Sequence, residues 1–283
     1  MDGRASAPAA ATILNALATG RGSAFAIDAD VSAEVTLGGA GGIQGKIDGH
    51  PDGDTALIER CVAAVTDRFE GPDGGTVRTE SDVPLASGLK SSSAAANATV
   101  LATLDALDEA DTITREEAAR IGVAAARDAG VTVTGAFDDA SASMLGGITV
   151  TDNTEDKLLQ RDSADWHVAA WIPPRREYSV DAAVERCEKV GSVASVVEEL
   201  ALTGRYATAM TVNGFAFTAA LDQPTAPMLE ALPDAEGVSL SGTGPSYVAI
   251  GEDEAIEGIV SRWNEREGGV LQTKTQTQGA QIE

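Results

Sequence analysis

The segment Pro84–Ala94 (PLASGLKSSSA) combines a glycine, a lysine and three serines directly before a helix-forming run of alanines. At the N-terminus of a helix, unpaired backbone N–H groups and the helix dipole favour a bound anion. Gly88 would let the backbone approach a phosphate closely, Lys90 adds a positive charge, and the hydroxyls at 91–93 suit phosphate oxygens or a magnesium ion. A serine-rich helix cap without a ligand is the alternative. The lysine and the lack of acidic residues over 83–104 favour a phosphate site.

A second segment with chemical potential holds two adjacent carboxylates. Asp138 and Asp139 lie among small residues in the segment Gly135–Gly147, whose sequence is GAFDDASASMLGG. Such a pair suits general-base or metal chemistry. In so acidic a chain, a solvated turn explains two neighbouring aspartates equally well, so the pair alone does not decide between the two interpretations.

The third segment is a glycine turn in front of a strand pattern. Gly242 and Gly244 lie in LSGTGPS at 240–246, and the apolar run YVAI follows. Glycines at this spacing permit positive φ angles and a close approach of the backbone to a ligand. Taken in isolation, a purely structural turn is the favoured interpretation.

The elements that must position these segments alternate between helix and strand patterns, which predicts a mixed α and β fold. Strong helix formers predict a helix after the serines, and Thr114 with Glu117 forms a capping-box pattern at the start of another. The segment 131–151 alternates between turn and strand signals, and the polar tail at 272–283 is expected to fray. Further helices are predicted at 54–70, about 179–189, 192–203, 205–221 and 253–266, and strands at 76–81, 165–172 and 247–250.

Composition excludes several classes of protein. The 283 residues, 43% of them hydrophobic, suffice for one large domain or two closely packed halves. No apolar run reaches the roughly 18 residues of a membrane-spanning helix, and the N-terminus lacks the layout of a signal peptide. Cys61 and Cys187 cannot build a disulfide scaffold, and His50 and His167 are too few for a typical zinc site. The sequence therefore predicts a protein of the reducing cytoplasm with no membrane partner.

The charge balance is strongly acidic. Asp and Glu number 44 against 20 Lys and Arg, which gives a formal net charge of −24. Nucleic acid is a poor partner for such a chain, because phosphate-backbone binding needs clustered basic residues. A diffuse acidic surface with few lysines favours adaptation to high salt, where self-repulsion is screened. An ordinary acidic cytosolic protein is the alternative.

Several stretches hold no acidic residue at all, namely 3–27, 83–104, 200–221 and 237–251. Burial clears carboxylates from a segment because an unpaired buried carboxylate is costly, and a site for an anionic ligand clears them by repulsion. Burial suffices to explain 200–221. The other windows are also rich in glycine, serine and threonine, which favours an anionic ligand near them.

Taken in order, these segments resemble the signature of the GHMP kinase superfamily. The resemblance is carried by Ser6–Pro8 (SAP), Pro84–Ala94 and Ser241–Pro245 (SGTGP), and it covers nearly the whole chain. The forms GLKSSS and, at Thr134–Ser143, TGAFDDASAS are similar to those of the archaeal shikimate kinases within that superfamily.

The resemblance implies an α+β fold of two mixed halves, 1–150 and 151–283, with the active site in the cleft between them. It implies transfer of the γ-phosphoryl group of ATP to the 3-hydroxyl of shikimate, with Mg²⁺ as a cofactor. The alternatives are another GHMP kinase, such as a homoserine or mevalonate kinase, or a non-catalytic ATP-binding regulatory protein. The oligomeric state is left open.

The resemblance also assigns residues to the ATP and magnesium sites. Ser92, or its neighbour Ser91, would approach the magnesium ion. The ATP phosphates would be held by the segment after Leu85 and by the glycine turn, that is, by Ala86, Ser87, Gly88, Leu89, Lys90, Ser91, Ser92, Ser93, Ala94, Ala95, Ala96, Gly242 and Gly244.

Asp138 aligns best with the catalytic aspartate of the family, and Asp139 is the second candidate. Many members carry a lysine shortly after the N-terminal Ala-Pro pair, where this chain has alanines at 9–11, and Lys90 is the candidate substitute. The shikimate carboxylate calls for a cation. The candidates are the arginines of the acid-free windows, Arg4, Arg21 and Arg205.

Overall fold

The computed structural model describes residues 1–39, 41–132, 134–174 and 184–283. Helices and strands are mixed along this part of the chain, and its strands form two sheets. The strands are β1 (Asp2–Leu14), β2 (Arg21–Leu37), β3 (Ile43–Ile47), β4 (Gly75–Ser81), β5 (Ile148–Asp152), β6 (Lys157–Asp162), β7 (His167–Ile172), β8 (Gly237–Leu240), β9 (Tyr247–Gly251), β10 (Gly269–Lys274) and β11 (Gln281–Ile282). The helices are α1 (Ala56–Arg68), α2 (Ser91–Ala106), α3 (Arg115–Asp128), α4 (Phe137–Leu145), α5 (Val184–Glu188), α6 (Gly191–Leu202), α7 (Tyr206–Ala220), α8 (Ala226–Ala231) and α9 (Asp253–Trp263).

The first sheet has seven strands and is built on the long antiparallel pair β1 and β2. One edge of β2 has two successive partners. Residues 21–25 of β2 pair with β5, and residues 31–37 pair with β4. The strand β3 extends the sheet parallel to β4. This arrangement brings the start of β2 next to the end of β5. The segment with the two adjacent aspartates, Gly135–Gly147, directly precedes β5.

The second sheet is four-stranded and antiparallel, in the order β10-β7-β9-β8. It meets the first sheet at an isolated bridge between Ile27 and Thr275. The polar tail belongs to both sheets, because β10 pairs with β7 and β11 pairs with β1. The prediction of a frayed tail is therefore wrong. Its polar side chains give no hydrophobic signal, and its order comes from backbone hydrogen bonds such as Ala280 N–H to Met144 O at 3.1 Å.

Helix α2 is the central element of the N-terminal region. It contacts β1 and β2 on one side and α1, α3 and α4 on others. Most of its residues are buried, so it lacks an exposed polar face and is rich in alanine and threonine instead. The phosphate segment that precedes it is therefore anchored to the core.

One further sequence prediction is confirmed, and a second one is wrong. The capping box forms as predicted: the Glu117 backbone N–H donates to the Thr114 hydroxyl, and the Glu117 side chain accepts from the Thr114 N–H. The segment 131–151, predicted as turns and strand, contains α4. This helix is short and rich in serine and aspartate, and its buried position between α2, α3 and β2 outweighs its weak local propensity.

Two expectations concern the chain as a whole. The division into halves at residue 150 stays a prediction, and that residue lies inside β5 of the first sheet. The first residues of the helix predicted at 179–189 lie outside the described residues, and α5 covers Val184–Glu188. Within the described ranges, the helices are all too short or too polar to cross a membrane.

Candidate active site

The predicted phosphate loop lies between the N-terminus of α2 and the C-terminal glycine turn. Ala86, Gly88 and Lys90 all have positive φ angles, which bends the chain sharply before the helix. The Ser241 hydroxyl donates to Gly88 O at 2.8 Å, and a Cβ at Gly88 would lie 2.6 Å from Ser241 O. Only glycine fits this contact, because both the left-handed backbone and the short approach exclude a side chain.

The first turn of α2 presents free backbone donors. No side chain caps the helix, and the first intrahelical bond runs from Ala94 N–H to Lys90 O at 3.1 Å. The N–H groups of Ser91, Ser92 and Ser93 precede that bond and have no carbonyl within the helix. All three serines line a cleft of about 810 Å³, and Ser92 is exposed to it. The end of α2 can therefore bind an anion through backbone donors and the helix dipole.

The glycine turn is tied to the end of β1. The Gly242 N–H donates to the Thr12 hydroxyl and the Asn15 side-chain amide donates to Gly242 O, both at 2.8 Å. A Cβ at Gly242 would lie 2.8 Å from Nζ of Lys90. The glycine turn thus packs directly against the Lys90 side chain.

Lys90 and Asp139 form a buried ion pair. Nζ of Lys90 lies 2.9 Å from Oδ2 of Asp139, and the side chains are 12% and 10% exposed. The other oxygen of Asp139 is buried without a hydrogen-bond partner in the described structure. Burial and the neighbouring Asp138 charge raise the pKa of Asp139 to about 7, although the Lys90 charge opposes that shift.

Asp138 faces a different neighbourhood from Asp139, because successive helical residues point about 100° apart. Nδ2 of Asn153 donates to Oδ1 of Asp138 at 2.6 Å. A Cβ at Gly22 would lie 2.5 Å from Oδ2 of Asp138, so the carboxylate sits directly against the start of β2. Within the described structure, Oδ2 accepts no hydrogen bond. Asp138 therefore has one oxygen that is held by Asn153 and one that has no hydrogen-bond partner in the described structure.

A small cavity of about 50 Å³ adjoins the large cleft. Asp138 lines the small cavity, whereas Lys90 and Asp139 line both spaces. Among the residues that line them, Lys90 is the single lysine or arginine in the described part of the chain. The predicted lysine, aspartates, serines and glycine turn are thus brought together at one place.

Some residues of the predicted phosphate segment do not face the cleft. Ser87, Leu89 and Ala94 are buried, and they line neither space. They support the loop instead, as when Ala10 N–H donates to Leu89 O at 3.2 Å. The remaining predicted members line the large cleft, namely Ala86, Gly88, Lys90, Ser91, Ser92, Ser93, Ala95, Ala96, Gly242 and Gly244.

Two of the candidate arginines lie away from the site. Arg4 is exposed, pairs with Glu34, and donates its backbone N–H to Asp105 near the C-terminal end of α2, whereas the cleft is at the N-terminal end. Arg205 is exposed at the N-cap of α7. In these two cases the absence of nearby acids in sequence accompanies burial of the adjoining strand and helix. Neither Arg4 nor Arg205 lines the two spaces, and their contact with a substrate stays a prediction.

Arg21 lies next to Gly22 in β2, but it is already paired. Its guanidinium is 2.5 Å from Asp152 and 3.5 Å from Glu198. Side chains alternate along a strand, so Arg21 points away from the face on which Gly22 meets Asp138. Arg21 lines neither space, and the expectation that it faces the substrate stays a prediction.

The family model described as GHMP kinases N terminal domain matches residues 56–147. The chain is 64% identical to a shikimate kinase of Halobacterium salinarum over 281 residues, with 99% of each chain covered. It is 49% identical to a shikimate kinase of Methanothrix thermoacetophila over 284 residues, covering 100% of this chain and 96% of that one. The chain belongs to the shikimate kinases of the GHMP kinase family.

The solved structure of a homoserine kinase from Cytophaga hutchinsonii shares the fold of this GHMP kinase. The TM-score is 0.78 at 17% sequence identity, over 100% of this chain and 97% of that one. The expected α+β GHMP kinase fold is thereby confirmed. The protein is an enzyme, and ATP use follows from the family.

At the position where many GHMP kinases carry a lysine, this chain has alanines that belong to the hydrophobic core. Ala9, Ala10 and Ala11 lie in β1 and are fully buried, so no long side chain leaves the strand there. The next residue, Thr12, lines the small cavity. Lys90 also lines this cavity, and its role as the substitute for that lysine stays a prediction.

Sequence reasoning missed Asn153 and Gly22, which hold Asp138 from two sides. Asn153 lies in a turn after β5 and Gly22 near the start of β2, far apart in sequence from each other and from the aspartates. The acid-free window 3–27 includes Gly22, but no local pattern marks Asn153.

Proposed function

We propose that this kinase transfers the γ-phosphoryl group of ATP to the 3-hydroxyl of shikimate, with Asp138 as the base. The observation that carries the proposal is the junction of the two spaces. Lys90 and Asp139 line both, and Asp138 lines the smaller one. A phosphoryl group that moves from the large cleft to an acceptor beside Asp138 would pass these side chains. The acceptor is taken from the relatives, which are named shikimate kinases.

The large cleft suits the triphosphate of ATP. The first turn of α2 offers backbone N–H groups, and the positive φ angles before it leave the loop open toward the cleft. Lys90 adds the positive charge that phosphoryl transfer requires near the transferred group. This assignment covers the residues of the predicted segment 86–96 that line the cleft, together with Gly242 and Gly244 of the glycine turn.

We also propose that magnesium meets the Ser92 hydroxyl, with Ser91 as the alternative. The described residues contain no cluster of three or more Asp, Glu, His or Cys side chains that could cage a metal ion. That composition fits magnesium, which usually binds through substrate phosphates and one or two protein oxygens. The ion would neutralise phosphate charge during transfer, and the serines would orient it.

The small cavity is the proposed acceptor site. It is lined by polar groups from several elements, and its volume of about 50 Å³ holds only a few water molecules. Binding of a cyclic hydroxy acid therefore requires the flanking segments to move apart. The polar lining comes from Thr12, Asn15, Thr132, Thr134, Asp138 and Thr243.

The chemical step divides between Asp138 and Lys90. The acceptor oxygen forms a bond to the γ-phosphorus while the bond from that phosphorus to the β–γ bridging oxygen breaks, and ADP leaves with that oxygen. The hydroxyl proton passes to Oδ2 of Asp138, the oxygen that accepts no other hydrogen bond in the described structure. Lys90 compensates the negative charge of the transferred group, and Asp139 holds the Lys90 ammonium in place.

The test measures ADP release from magnesium-ATP in molar KCl, with shikimate, homoserine and mevalonate offered separately. Turnover with shikimate alone is the expected result. Turnover with another acceptor would retain the phosphoryl-transfer site and reject the substrate. No turnover with any of them, from folded protein that still binds an ATP analogue, would reject the proposed reaction.

A further inference from the structure

Asn153 makes an unusual set of contacts with a single residue, Asp138. Its Nδ2 donates to Oδ1 of Asp138 at 2.6 Å, and its Oδ1 accepts from the Asp138 backbone N–H at 3.1 Å. The Thr151 hydroxyl also donates to Oδ1 of Asn153, at 2.7 Å. Asn153 and Asp138 are 2% and 4% exposed, so water does not compete for these bonds.

The orientation of the Asn153 amide is fixed by its partners. A backbone N–H can only donate, so the atom that faces the Asp138 N–H must be the amide oxygen. The NH₂ group then faces the Asp138 carboxylate. The reverse orientation would set two donors against each other at the backbone and two acceptors against each other at the carboxylate.

The bond to Asn153 makes the two oxygens of Asp138 chemically different. Oδ1 is bound by the amide, and Oδ2 lies against Gly22 with no hydrogen-bond partner in the described structure. A carboxylate held in this way cannot rotate to exchange its oxygens without losing the bond. The free oxygen therefore keeps a constant position beside Gly22, in a residue that lines the small cavity.

We propose that Asn153 is a positioning residue for the reaction: its amide fixes the Asp138 carboxylate so that Oδ2 alone receives the acceptor proton. The inference rests on the proposed function of Asp138 as the base. Asn153 lines neither space, whereas Asp138 lines the smaller one, so Asn153 acts through Asp138 and not on a bound substrate.

The structural role of Asn153 uses its backbone and also its side-chain oxygen, which accepts from the Asp138 N–H in the first turn of α4, so the pH profile, and not the loss of activity alone, distinguishes positioning from a structural role. The Asn153 N–H donates to Gly20 O at 2.8 Å, and its carbonyl accepts from Arg127 at 3.2 Å. Both remain when the side chain is truncated. The bonds that truncation removes run to Asp138 and Thr151.

The experiment compares Asn153→Ala, Asn153→Asp and Thr151→Val with the wild type. For Asn153→Ala we expect kcat to fall by about tenfold to a hundredfold, with an unchanged Kd for a non-hydrolysable ATP analogue. The acid limb of the pH profile of kcat/KM for shikimate should move to higher pH, because a carboxylate that loses a donor holds its proton more tightly. Thr151→Val leaves both bonds to Asp138 and should lower kcat less than Asn153→Ala.

The isosteric variant Asn153→Asp covers the case in which Asn153→Ala does not fold. It replaces the donor with a carboxylate, so the acid limb should lie at a higher pH than in the wild type. The charged groups on the elements around Asp138 are the pair Lys90–Asp139, Arg127 behind Asn153, and the pair Arg21–Asp152 on the adjoining strands β2 and β5, and all are the same in each variant.

The outcomes separate the inference from the proposed function. Wild-type kcat and an unmoved acid limb in folded Asn153→Ala, or in Asn153→Asp, would overturn the inference. Full activity in Asp138→Asn would overturn the role of Asp138 itself. Inactive Asp138→Asn together with fully active Asn153→Ala would retain the base and reject its positioning by Asn153.

Discussion

The ammonium of Lys90 lies 2.9 Å from the Oδ2 atom of Asp139, at the junction of the two spaces of the active site. Lys90 is the N-cap residue of α2, and Asp139 lies in the first turn of α4. The pair therefore joins the ends of two helices whose dipoles both favour negative charge at this point. The cation is held here before any substrate arrives.

Replacement of Lys90 tests whether this cation takes part in the reaction. For Lys90→Met we expect kcat to fall by about a hundredfold or more, because a preorganised charge beside the transferred phosphoryl group is lost. Steady-state ADP release with shikimate measures the effect. Lys46→Met is the matched control, since Lys46 is an exposed lysine of β3. Equal activity of the two variants would exclude Lys90 from the reaction.

The raised pKa of Asp139 makes a prediction for stability. Burial and the Asp138 charge raise that pKa to about 7, whereas an unfolded aspartate titrates near 3.8. Between about pH 4 and 7, the native state keeps a proton that the unfolded state has released, so this residue lowers the free energy of unfolding as the pH rises. Above pH 7 its contribution is constant.

Urea unfolding of the wild type and Asp139→Asn at constant KCl measures this contribution. The wild type should lose stability relative to the variant as the pH rises from 4 to 7, and the difference should level off above 7. Glu254→Gln, which removes a carboxylate from an exposed position of α9, is the control for loss of one charge. A difference between wild type and Asp139→Asn that is independent of pH would contradict the prediction.

Much of the phosphate side could be predicted from sequence, because its determinants are local. A glycine, a lysine and serines in front of a helix specify an anion site through backbone geometry that a few successive residues control. The pairing of Lys90 with Asp139 could not be predicted, since 49 positions separate them and no periodicity relates them.

The proposed acceptor side is built from contacts that are distant in sequence, which explains why local patterns give little guidance there. Arg21 lies in an acid-free window, yet Asp152 and Glu198 reach it from β5 and α6. Asn153 carries no local signal because its function depends on the pairing of β5 with β2. Residues that are distant in sequence determine the contacts of both side chains, so the local sequence around each one carries no information on those contacts.

Substitution of Asp138 tests the base directly. For Asp138→Asn we expect turnover to fall by about two orders of magnitude or more, because the amide cannot accept the hydroxyl proton. Binding of a non-hydrolysable ATP analogue should persist, since Asp138 lines only the small cavity. Comparison with Asp139→Asn assigns the base between the two aspartates. Near-wild-type turnover in Asp138→Asn would reject the assignment.

Gly22 provides a steric test of the same carboxylate. A Cβ at this position would lie 2.5 Å from Oδ2 of Asp138, so Gly22→Ala must displace that oxygen. We expect a fall in kcat of about tenfold or more, with little change in ATP-analogue binding. Gly269→Ala is the matched control, because a Cβ at Gly269 in β10 meets no atom within 4 Å. Equal kcat in the two variants would show that the position of Oδ2 does not limit the reaction.

The acidic surface predicts a dependence of stability on salt. A formal charge of −24 repels itself in the compact state, and added ions shorten the screening length from about 10 Å at 0.1 M to about 3 Å at 1 M. The exposed ion pairs, such as that of Arg262 with Asp234, are weakened by the same screening, but each contributes little. The net effect is stabilisation.

Urea unfolding midpoints at pH 7.5 should therefore rise steadily from 0.1 to 2 M KCl. The same titration near pH 5, closer to the sequence pI of about 4.3, is the control. Many carboxylates are partly protonated there, so less repulsion remains to be screened and the rise should be smaller. A salt effect of equal size at both pH values would assign it to preferential exclusion of salt from the protein surface, and a flat or falling midpoint at pH 7.5 would contradict the electrostatic explanation.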